Sequence, residues 1–292
     1  MVNRYSAGEL RDILVGKYPI FDYRPHELQE AAHRSKAPSV AVTGGNQSGK
    51  TTFLVTEVPA WCCGFRPFFD PNDDDFIVNS MTGPIELPNV VRILCTDFKT
   101  GLMQAVWPKF KAMWPESWYD VDTDSSGYPT CIRWKWGSEL WFLSQEQDVK
   151  KFESATFHGM GYDEPPDRDR LLASRRGLVK TAGREAFSLT PIGQIYLDDL
   201  FEKSRFVEQF KFETEHNLTQ EGGGENKAHQ VLNRDAYERF TELMTPLEKA
   251  IRTKGDTSAR RGRVIKSFIN RAPYVIEPFQ IPLHWHRIAI VD

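Results

Sequence analysis

The sequence has few cysteines, and it lacks both a long apolar run and a leader of basic and then apolar residues. Its four cysteines are Cys62, Cys63, Cys95 and Cys131. Because the first two are adjacent, their spacing fits neither a disulfide framework nor a paired-cysteine metal site, and we expect reduced cytosolic thiols. No stretch of roughly 18 apolar residues is present, which argues against a membrane span, and the missing leader argues against secretion.

An excess of charge of one sign, internal repeats and low-complexity tracts are also absent from the sequence. The formal net charge is only −3, so the overall balance does not indicate a nucleic-acid partner, although an acidic chain can still carry a basic groove. A hydrophobic fraction of 40% and a charged fraction of 26% are ordinary for a globular protein. A chain of 292 residues is long enough for one large domain, or for one domain with a small appendage.

Short apolar segments alternate with helical segments along the chain. The helical patterns cover residues 5–35, with a break at 23–25, and residues 51–61, 99–113 and 235–254. The strand candidates cover residues 39–43, 90–96, 157–163 and 185–189, and residues 130–144 are typical of a β-hairpin. The later part of the chain differs, with a glycine-rich loop at 221–226 and a basic stretch at 257–263. Strands that alternate with helices predict an α/β fold with a mostly parallel sheet.

The most specific motif lies between the first strand candidate and the helix after it. Residues 44–51 read GGNQSGKT and fit the pattern GxxxxGK[ST] of phosphate-binding loops. Such a loop directs backbone N–H groups and the positive end of a helix at phosphate oxygens. In this chemistry Lys50 contacts the β- and γ-phosphates, and the Thr51 hydroxyl is a ligand of Mg²⁺. The competing interpretation is a glycine-rich turn that binds no ligand. The candidates for nucleotide contact are Gly44, Gly45, Asn46, Gln47, Ser48, Gly49, Lys50, Thr51 and Thr52.

A pair of carboxylates ends the strand candidate at 157–163. Phosphoryl transfer to water needs one acid in the Mg²⁺ shell and a second that polarises the attacking water, and we assign these roles to Asp163 and Glu164 respectively. A surface acidic turn is the alternative. Thr190 follows the strand candidate at 185–189 and is a candidate for sensing the γ-phosphate. For Thr190 the alternative is a plain turn at a strand end.

Together these motifs resemble those of the large subunit of tailed-bacteriophage terminases, the motors that package double-stranded DNA. Residues 44–51 resemble the family's Walker A loop, GYDEPP at 161–166 its Walker B segment with the catalytic glutamate, and SLTP at 188–191 its coupling motif. YRPH at 23–26, with Gln29, resembles its adenine-recognition motif. The resemblance implies a P-loop NTPase of the RecA-like type, with a mostly parallel sheet flanked by helices and a small C-terminal lid.

The resemblance also implies a division of the chain. It places an ATPase core at residues 1–205, a lid subdomain and linker at 206–280, and the first strand of a truncated RNase H-like nuclease domain at 281–292. Asp292 resembles the first metal-binding aspartate of that nuclease. Because two-metal nuclease chemistry needs several carboxylates, we expect no nuclease activity from this incomplete site.

The implied function is hydrolysis of ATP, with Mg²⁺, to drive DNA into a procapsid. The implied partners are double-stranded DNA, the portal protein, the small terminase subunit and further copies of the chain in a pentameric ring, without a membrane. The implied location is the cytoplasm of the infected host cell, docked on the procapsid. The family also uses a catalytic finger from a neighbouring subunit. Lys151 is the candidate substitute for it, with Arg133, Arg175 and Arg176 as alternatives, and the finger stays unassigned.

Three other functions compete with this interpretation. A helicase of the same ATPase class would separate strands on a forked duplex. A P-loop kinase would release a phosphorylated product instead of free phosphate. A non-hydrolysing, nucleotide-dependent assembly protein would bind ATP tightly without turnover, and the carboxylate pair argues against it.

Overall fold

An eight-stranded sheet forms the centre of the computed structural model, which describes residues 15–153, 156–190, 195–218 and 232–255. Two short strands, β2 and β3, form a separate ribbon. The strands are β1 (Ser39–Gly44), β2 (Asn79–Ser80), β3 (Gly83–Pro84), β4 (Val90–Cys95), β5 (Tyr119–Thr123), β6 (Pro129–Trp134), β7 (Glu139–Ser144), β8 (Gly159–Asp163), β9 (Arg184–Leu189) and β10 (Val207–Phe212).

The order across the sheet is β10-β1-β9-β8-β4-β7-β6-β5. The strands from β10 to β7 are parallel, and β6 and β5 complete one edge in antiparallel pairing. Because the carboxyl ends of parallel strands meet at one edge of a sheet, β1, β8 and β9 place Gly44, Asp163 and Leu189 at the same edge. The predicted α/β class, the four predicted strands and the hairpin are confirmed, with strand ends shifted by at most two residues.

Helices cover both faces of the sheet. In the described part of the chain they are α1 (Pro19–Asp22), α2 (Glu27–Arg34), α3 (Lys50–Cys63), α4 (Trp107–Met113), α5 (Lys150–Glu153), α6 (Arg168–Leu178), α7 (Ile195–Lys203), α8 (Arg234–Thr241) and α9 (Pro246–Lys254), with a π-helix at Phe98–Val106 and 3₁₀ turns at Glu116–Trp118 and Thr214–Asn217. The single helix predicted at 235–254 is two helices, because the Thr245 hydroxyl accepts the amide of Glu248 (3.2 Å) and starts α9 as an N-cap. None of the described helices is long and apolar enough to cross a membrane.

Helix α3 packs closely on β8, and this contact explains why β8 contains little valine or isoleucine. A Cβ atom on Gly159 would lie 2.4 Å from a ring carbon of Trp61. A Cβ atom on Gly161 would lie 3.0 Å from a methyl carbon of Val58 and 3.1 Å from one of Leu54. The glycines therefore let the helix approach the strand that carries the carboxylate pair, at a distance that larger residues would prevent.

A buried ionic cluster joins α2 to α3. Glu57 of α3 accepts hydrogen bonds from Arg66 (Nε to Oε2, 2.8 Å) and from His33 of α2 (Nδ1 to Oε2, 2.8 Å). Burial opposes ionisation of Glu57, but Arg66 and His33 outweigh it and hold the pKa of this carboxyl well below its usual range. Burial lowers the pKa of His33, against the opposing effect of Glu57, and the Tyr23 hydroxyl lies 3.4 Å from its other nitrogen. The cluster fixes the position of α2 on the helix that begins at Lys50.

Two strands of the main sheet were not predicted, nor were the short ribbon strands β2 and β3. β5 and β10 lie at the two edges of the sheet, and their sequences, YDVDT and VEQFKF, are rich in charged residues because edge strands face solvent. β10 lies beyond residue 205 and pairs with β1, so this part of the predicted lid segment extends the sheet. The division at 205 and 280 stays a prediction. The expectations for residues 5–14, 221–226, 257–263 and 281–292, including Asp292, fall outside the described residues.

Candidate active site

The loop at residues 44–51 connects β1 to α3 in a conformation that requires its glycines. Gly49 is the N-cap of α3 with φ of 89°, in the left-handed region. A Cβ atom on Gly44 would lie 1.9 Å from the carbonyl oxygen of Phe212, and one on Gly45 would lie 2.2 Å from that of Thr253. The loop is therefore enclosed between β10 and the end of α9.

The amides at the start of α3 point to an anion site. In the described part of the chain the amides of Ser48, Gly49 and Lys50 donate to no protein acceptor, whereas the amide of Asn46 donates to the carbonyl of Arg252 at 2.7 Å. The first amides of a helix have no partner within the helix, and the helix dipole is positive at this end. Both effects would stabilise an anion at this position.

Lys50 is buried within the loop that it follows. Its Nζ donates to the carbonyl oxygen of Gly45 at 2.6 Å, and only 7% of the residue is exposed. Burial lowers the pKa of Lys50 to about 8, and the charges of Glu164 and Asp163 act in the opposite direction. A buried ammonium group next to two carboxylates is a cation that a bound phosphate would stabilise.

Asp163 contacts Thr51, the residue after Lys50. The Thr51 hydroxyl donates to Oδ1 of Asp163 at 3.3 Å. Burial and, after it, the neighbouring charge of Glu164 together raise the pKa of Asp163 to about 7. A hydroxyl and a carboxylate that share one buried position are hard oxygen ligands of the kind that Mg²⁺ prefers. No group of three or more His, Cys, Asp or Glu side chains suited to a metal occurs in the described ranges, and Mg²⁺ in phosphate sites needs only one or two protein ligands.

Glu164 has a strained backbone and a tightly held side chain. Its φ is 73°, which is rare for a residue other than glycine and is often found at functional sites. Its amide donates to the carbonyl of Ser188 at 3.0 Å. Its two carboxylate oxygens accept the amide and the hydroxyl of Thr190, each at 3.0 Å. The turn after β8 therefore directs the carboxylate along the carboxyl edge of the sheet toward the end of β9.

Gln29 and His26 are joined to the loop by hydrogen bonds. Gln29 Nε2 donates to the carbonyl of Gly49 at 3.1 Å, and its Oε1 accepts the amide of His26 at 3.0 Å. The Gln29 amide donates to Nδ1 of His26 at 3.2 Å, so the two residues cap α2 reciprocally. Burial lowers the pKa of His26 to about 4, which leaves Nδ1 free to accept. The structure thus brings Gln29 to the loop, and its role in adenine recognition stays a prediction.

The finger candidates form no hydrogen bond or ion pair with this cluster in the described part of the chain. Lys151 is exposed on α5, and within the described residues no hydrogen bond or ion pair joins it to Lys50, Asp163 or Glu164. Arg133 pairs with Asp122 at 2.7 Å and Arg175 pairs with Glu185 at 2.8 Å, while Arg176 is largely exposed and lies 3.6 Å from Glu153. Thr52, the last predicted nucleotide contact, is partly buried, and its carbonyl accepts the Thr56 hydroxyl at 2.9 Å.

The sequence analysis missed residues that are distant along the chain but form hydrogen bonds with the loop. The Thr214 hydroxyl donates to the carbonyl of Asn46 at 2.7 Å and lies 3.1 Å from that of Thr253. Asn217 Nδ2 donates to the carbonyl of Gln47 at 2.6 Å. A third residue that the sequence did not reveal is Lys109, whose positive charge lowers the pKa of both Asp163 and Lys50. No local pattern marks these residues, because the contacts of Thr214 and Asn217 span more than 160 positions.

Comparisons with solved structures agree with this fold. The large terminase of a thermophilic bacteriophage matches with a TM-score of 0.57 and 14% identity over 80% of this chain and 54% of that one. The same terminase in complex with ADP matches with a TM-score of 0.50 and 15% identity over 75% and 50% of the two chains. The large terminase ATPase domain of Thermus phage P74-26 is more distant, with a TM-score of 0.45 and 15% identity over 82% and 98%.

The chain spans about half the length of the first two terminase structures. No protein-family profile matches the sequence, and no curated protein matches it. At these identities the comparisons establish the fold: a mostly parallel α/β sheet of the RecA-like P-loop type, as predicted.

Proposed function

We propose that this chain is the ATPase domain of a phage terminase large subunit, which hydrolyses ATP to move double-stranded DNA into a procapsid. One observation carries the proposal. The Thr51 hydroxyl contacts the Asp163 carboxylate at 3.3 Å, beside the buried ammonium of Lys50. This contact joins the phosphate-binding loop to the carboxylate pair, and the fold shared with terminases gives it a context.

In this proposal the loop binds the triphosphate. The amides at the start of α3 and the Lys50 ammonium neutralise the phosphate oxygens, and Lys50 exchanges the carbonyl of Gly45 for the β- and γ-phosphates. Thr51 and Asp163 would hold Mg²⁺, which supplies Lewis-acid stabilisation of the charge on the phosphates. Gln29 contacts the adenine after releasing its bond to Gly49.

Glu164 acts as the general base. Its carboxylate takes a proton from a water molecule while the water oxygen bonds to the γ-phosphorus and the bond to the β–γ bridging oxygen breaks, giving ADP and phosphate. Each carboxylate oxygen that accepts from Thr190 has a second lone pair, so Glu164 can hold water while Thr190 fixes its orientation. Thr190 thereby relays the state of the γ-phosphate to β9.

Movement of DNA requires that the loop be coupled to the later part of the chain. Thr214, Asn217 and the end of α9 contact the loop directly, so a change in loop conformation reaches these elements. We therefore keep the division into an ATPase core (1–205), a lid and linker (206–280) and the first nuclease strand (281–292). The partners in this proposal are double-stranded DNA, the portal protein, the small terminase subunit and a pentameric ring, in the cytoplasm of the infected cell.

The test is release of phosphate from ATP with Mg²⁺ by the parent and by Lys50→Ala and Glu164→Gln. Each substitution should lower the rate by about 10²- to 10³-fold, because each removes charge that acts on the transition state. Glu164→Gln should still bind a non-hydrolysable ATP analogue. The matched controls, Lys135→Ala and Glu146→Gln, change exposed residues and should keep the parental rate. Hydrolysis at the parental rate by Glu164→Gln would refute the assignment of the base.

Two additions to the assay separate the motor from its competitors. Duplex DNA and forked DNA are supplied in parallel, because a packaging motor moves along intact duplex whereas a helicase separates the fork. The protein concentration is varied, because a finger from a neighbouring subunit, with Lys151 as the candidate, makes the rate per subunit rise with concentration. A phosphorylated acceptor in place of free phosphate would identify a kinase instead.

A further inference from the structure

The turn that carries Glu164 contains two consecutive prolines. Residues 163–166 read DEPP, and Pro165 and Pro166 are both buried, in the segment that connects β8 to α6. A proline has no backbone N–H, so the backbone of each of these residues can be held by a hydrogen bond only through its carbonyl oxygen. Any group that fixes the chain directly after Glu164 must therefore be a donor from elsewhere in the protein.

Both proline carbonyls accept a hydrogen bond from a side chain. The Nε2 group of Gln145 donates to the carbonyl oxygen of Pro165 at 3.0 Å. The hydroxyl of Tyr196, on α7, donates to the carbonyl oxygen of Pro166. The two donors come from opposite directions along the chain, 20 residues before one acceptor and 30 residues after the other. The turn is therefore held by two elements that no local motif connects with the acidic pair.

Gln145 has a fixed position at the carboxyl edge of the sheet. It directly follows β7, and its amide donates to the carbonyl of Cys95, the last residue of β4, at 3.0 Å. A further hydrogen bond joins the same loop to α6, because Nη2 of Arg170 donates to the carbonyl of Gln147 at 2.5 Å. The loop after β7 is thus joined at two points to the segment that follows the acidic pair.

Glu164 needs such support because its backbone is strained. A φ of 73° is unfavourable for a residue other than glycine, and such a conformation persists only where the surroundings fix it. Before the side chain, the amide of Glu164 donates to the carbonyl of Ser188 at 3.0 Å. After it, the ring of Pro165 locks φ, so the bond from Gln145 to the Pro165 carbonyl also restrains the peptide group next to Glu164. Together these bonds set the direction of the Cα–Cβ bond that carries the carboxylate.

We propose that Gln145 is a positioning residue for the general base, acting on Glu164 through the carbonyl of Pro165, with Tyr196 as a second restraint on the same turn. This inference rests on the proposed function, in which Glu164 polarises the attacking water. A general base must lie within hydrogen-bond reach of its proton, and a small displacement of a catalytic group lowers the rate strongly. Gln145 contacts neither the nucleotide nor the water in this mechanism, so its loss affects the chemical step and leaves nucleotide binding intact.

The experiment measures kcat and KM for phosphate release from ATP with Mg²⁺ in the parent and in three variants. Gln145→Met keeps the length of the side chain and removes its donor, and Tyr196→Phe keeps the ring and removes the hydroxyl. Each should lower kcat by about 3- to 10-fold, the range for one lost hydrogen bond, and change KM by less than about twofold. The control is Gln104→Met, at an exposed position of the π-helix, and it should match the parent.

The same substitution in a Glu164→Gln background separates positioning from a general structural role. If Gln145 acts only through the Glu164 carboxylate, Gln145→Met should change the residual single-turnover rate of Glu164→Gln by less than about twofold, because effects that act through one group are not additive. A structural role of Gln145 would instead lower the residual rate by the same factor as in the parent.

The outcomes separate this inference from the proposed function. A parent without ATPase activity, or a parental rate in Glu164→Gln, would refute the proposed function and the role of Gln145 with it. If Glu164→Gln were slow but Gln145→Met kept the parental kcat, Gln145 would not position the base. An equal decrease in both backgrounds, or a change confined to KM, would refute the inference as well. Urea unfolding verifies that each variant folds, and Gln145→Asn, whose shorter amide does not reach Pro165, replaces a Gln145→Met that fails to fold.

Discussion

Glu164 and Thr190 are joined by two hydrogen bonds, one from the Thr190 amide and one from its hydroxyl, both 3.0 Å long. They lie on neighbouring strands, at the ends of β8 and β9. A carboxylate fixed in this way has its orientation set by the strand that follows the acid pair. This arrangement links the proposed base to the segment proposed to sense the γ-phosphate.

Replacing Thr190 by valine should lower kcat and leave KM for ATP nearly unchanged. The substitution keeps the shape and the backbone bond but removes the hydroxyl bond, so the carboxylate of Glu164 loses part of its orientation. We expect a decrease of about 3- to 10-fold, which corresponds to one neutral-to-charged hydrogen bond of modest strength. Single-turnover phosphate release measures the effect. Thr130→Val, which removes a hydroxyl bond in the hairpin, is the control, and an unchanged kcat would show that the hydroxyl does not position the base.

The buried cluster of Glu57, His33 and Arg66 predicts a large stability effect. Glu57→Gln leaves the guanidinium of Arg66 buried without a carboxylate, and loss of one partner of a buried pair costs about 3 to 5 kcal/mol of unfolding free energy. Urea unfolding gives this value directly. The matched change at the surface, Glu30→Gln, removes the pair with Arg34 and should cost less than about 1 kcal/mol. Equal effects of the two substitutions would contradict the role given to burial.

His26 predicts a stability change at mildly acidic pH. Its pKa in the folded chain, about 4, lies below the usual 6.5. Between these values the unfolded chain binds more protons, so the unfolding free energy falls as pH decreases from 6.5 toward 4, by at most about 1.4 kcal/mol per pH unit from this residue. Protonation also removes the Nδ1 acceptor that caps α2.

The variant His26→Asn isolates that effect, because asparagine keeps an N-cap acceptor without a titrating ring. Thermal or urea unfolding of the parent and the variant over this pH range measures the difference between their slopes. Groups such as His33 titrate in both proteins, so their contributions to the two slopes cancel in the difference. A parental slope no steeper than that of the variant would show that His26 does not contribute to the pH dependence.

The sequence was sufficient for the parts of the site that depend on local patterns. The loop at 44–51 and the pair Asp163 and Glu164 follow apolar strands, and the rule that parallel strands meet at their carboxyl ends brings them to one edge. β8 gave only a weak strand signal in the sequence because of its glycines. Packing against Trp61 and Val58 favours small residues there, whereas strand propensity favours β-branched ones.

The remaining parts depend on contacts that no local pattern records. The charged edge strands β5 and β10 read as solvent-exposed segments, and the loop contacts of Thr214 and Asn217 depend on where β10 ends. Gln29 was predicted from a motif, but its hydrogen bond to Gly49 depends on how the buried cluster orients α2 on α3. Lys109 has no signal, because an exposed lysine in a helix is ordinary, and its charge effect on Asp163 and Lys50 depends on the fold.

Thr214 predicts a link between the stability of the loop and nucleotide binding. Its buried hydroxyl donates to the carbonyl of Asn46 and approaches that of Thr253, so Thr214→Val leaves buried acceptors without their donor. We expect a cost of about 1 to 3 kcal/mol in unfolding free energy, and weaker binding of Mg²⁺-ADP because the loop loses a brace.

Urea unfolding with and without Mg²⁺-ADP measures both effects, since a ligand stabilises a protein in proportion to its binding free energy. Thr82→Val, at an exposed turn of the separate ribbon, is the control and should leave both values unchanged. Thr214→Val could be less stable without nucleotide and yet gain as much unfolding free energy from Mg²⁺-ADP as the parent does. The Thr214 hydroxyl bond would then stabilise the fold without affecting nucleotide binding. A reduced gain would mean that the segment from β10 to α9 and the phosphate-binding loop are energetically coupled, as transmission of hydrolysis to a lid requires.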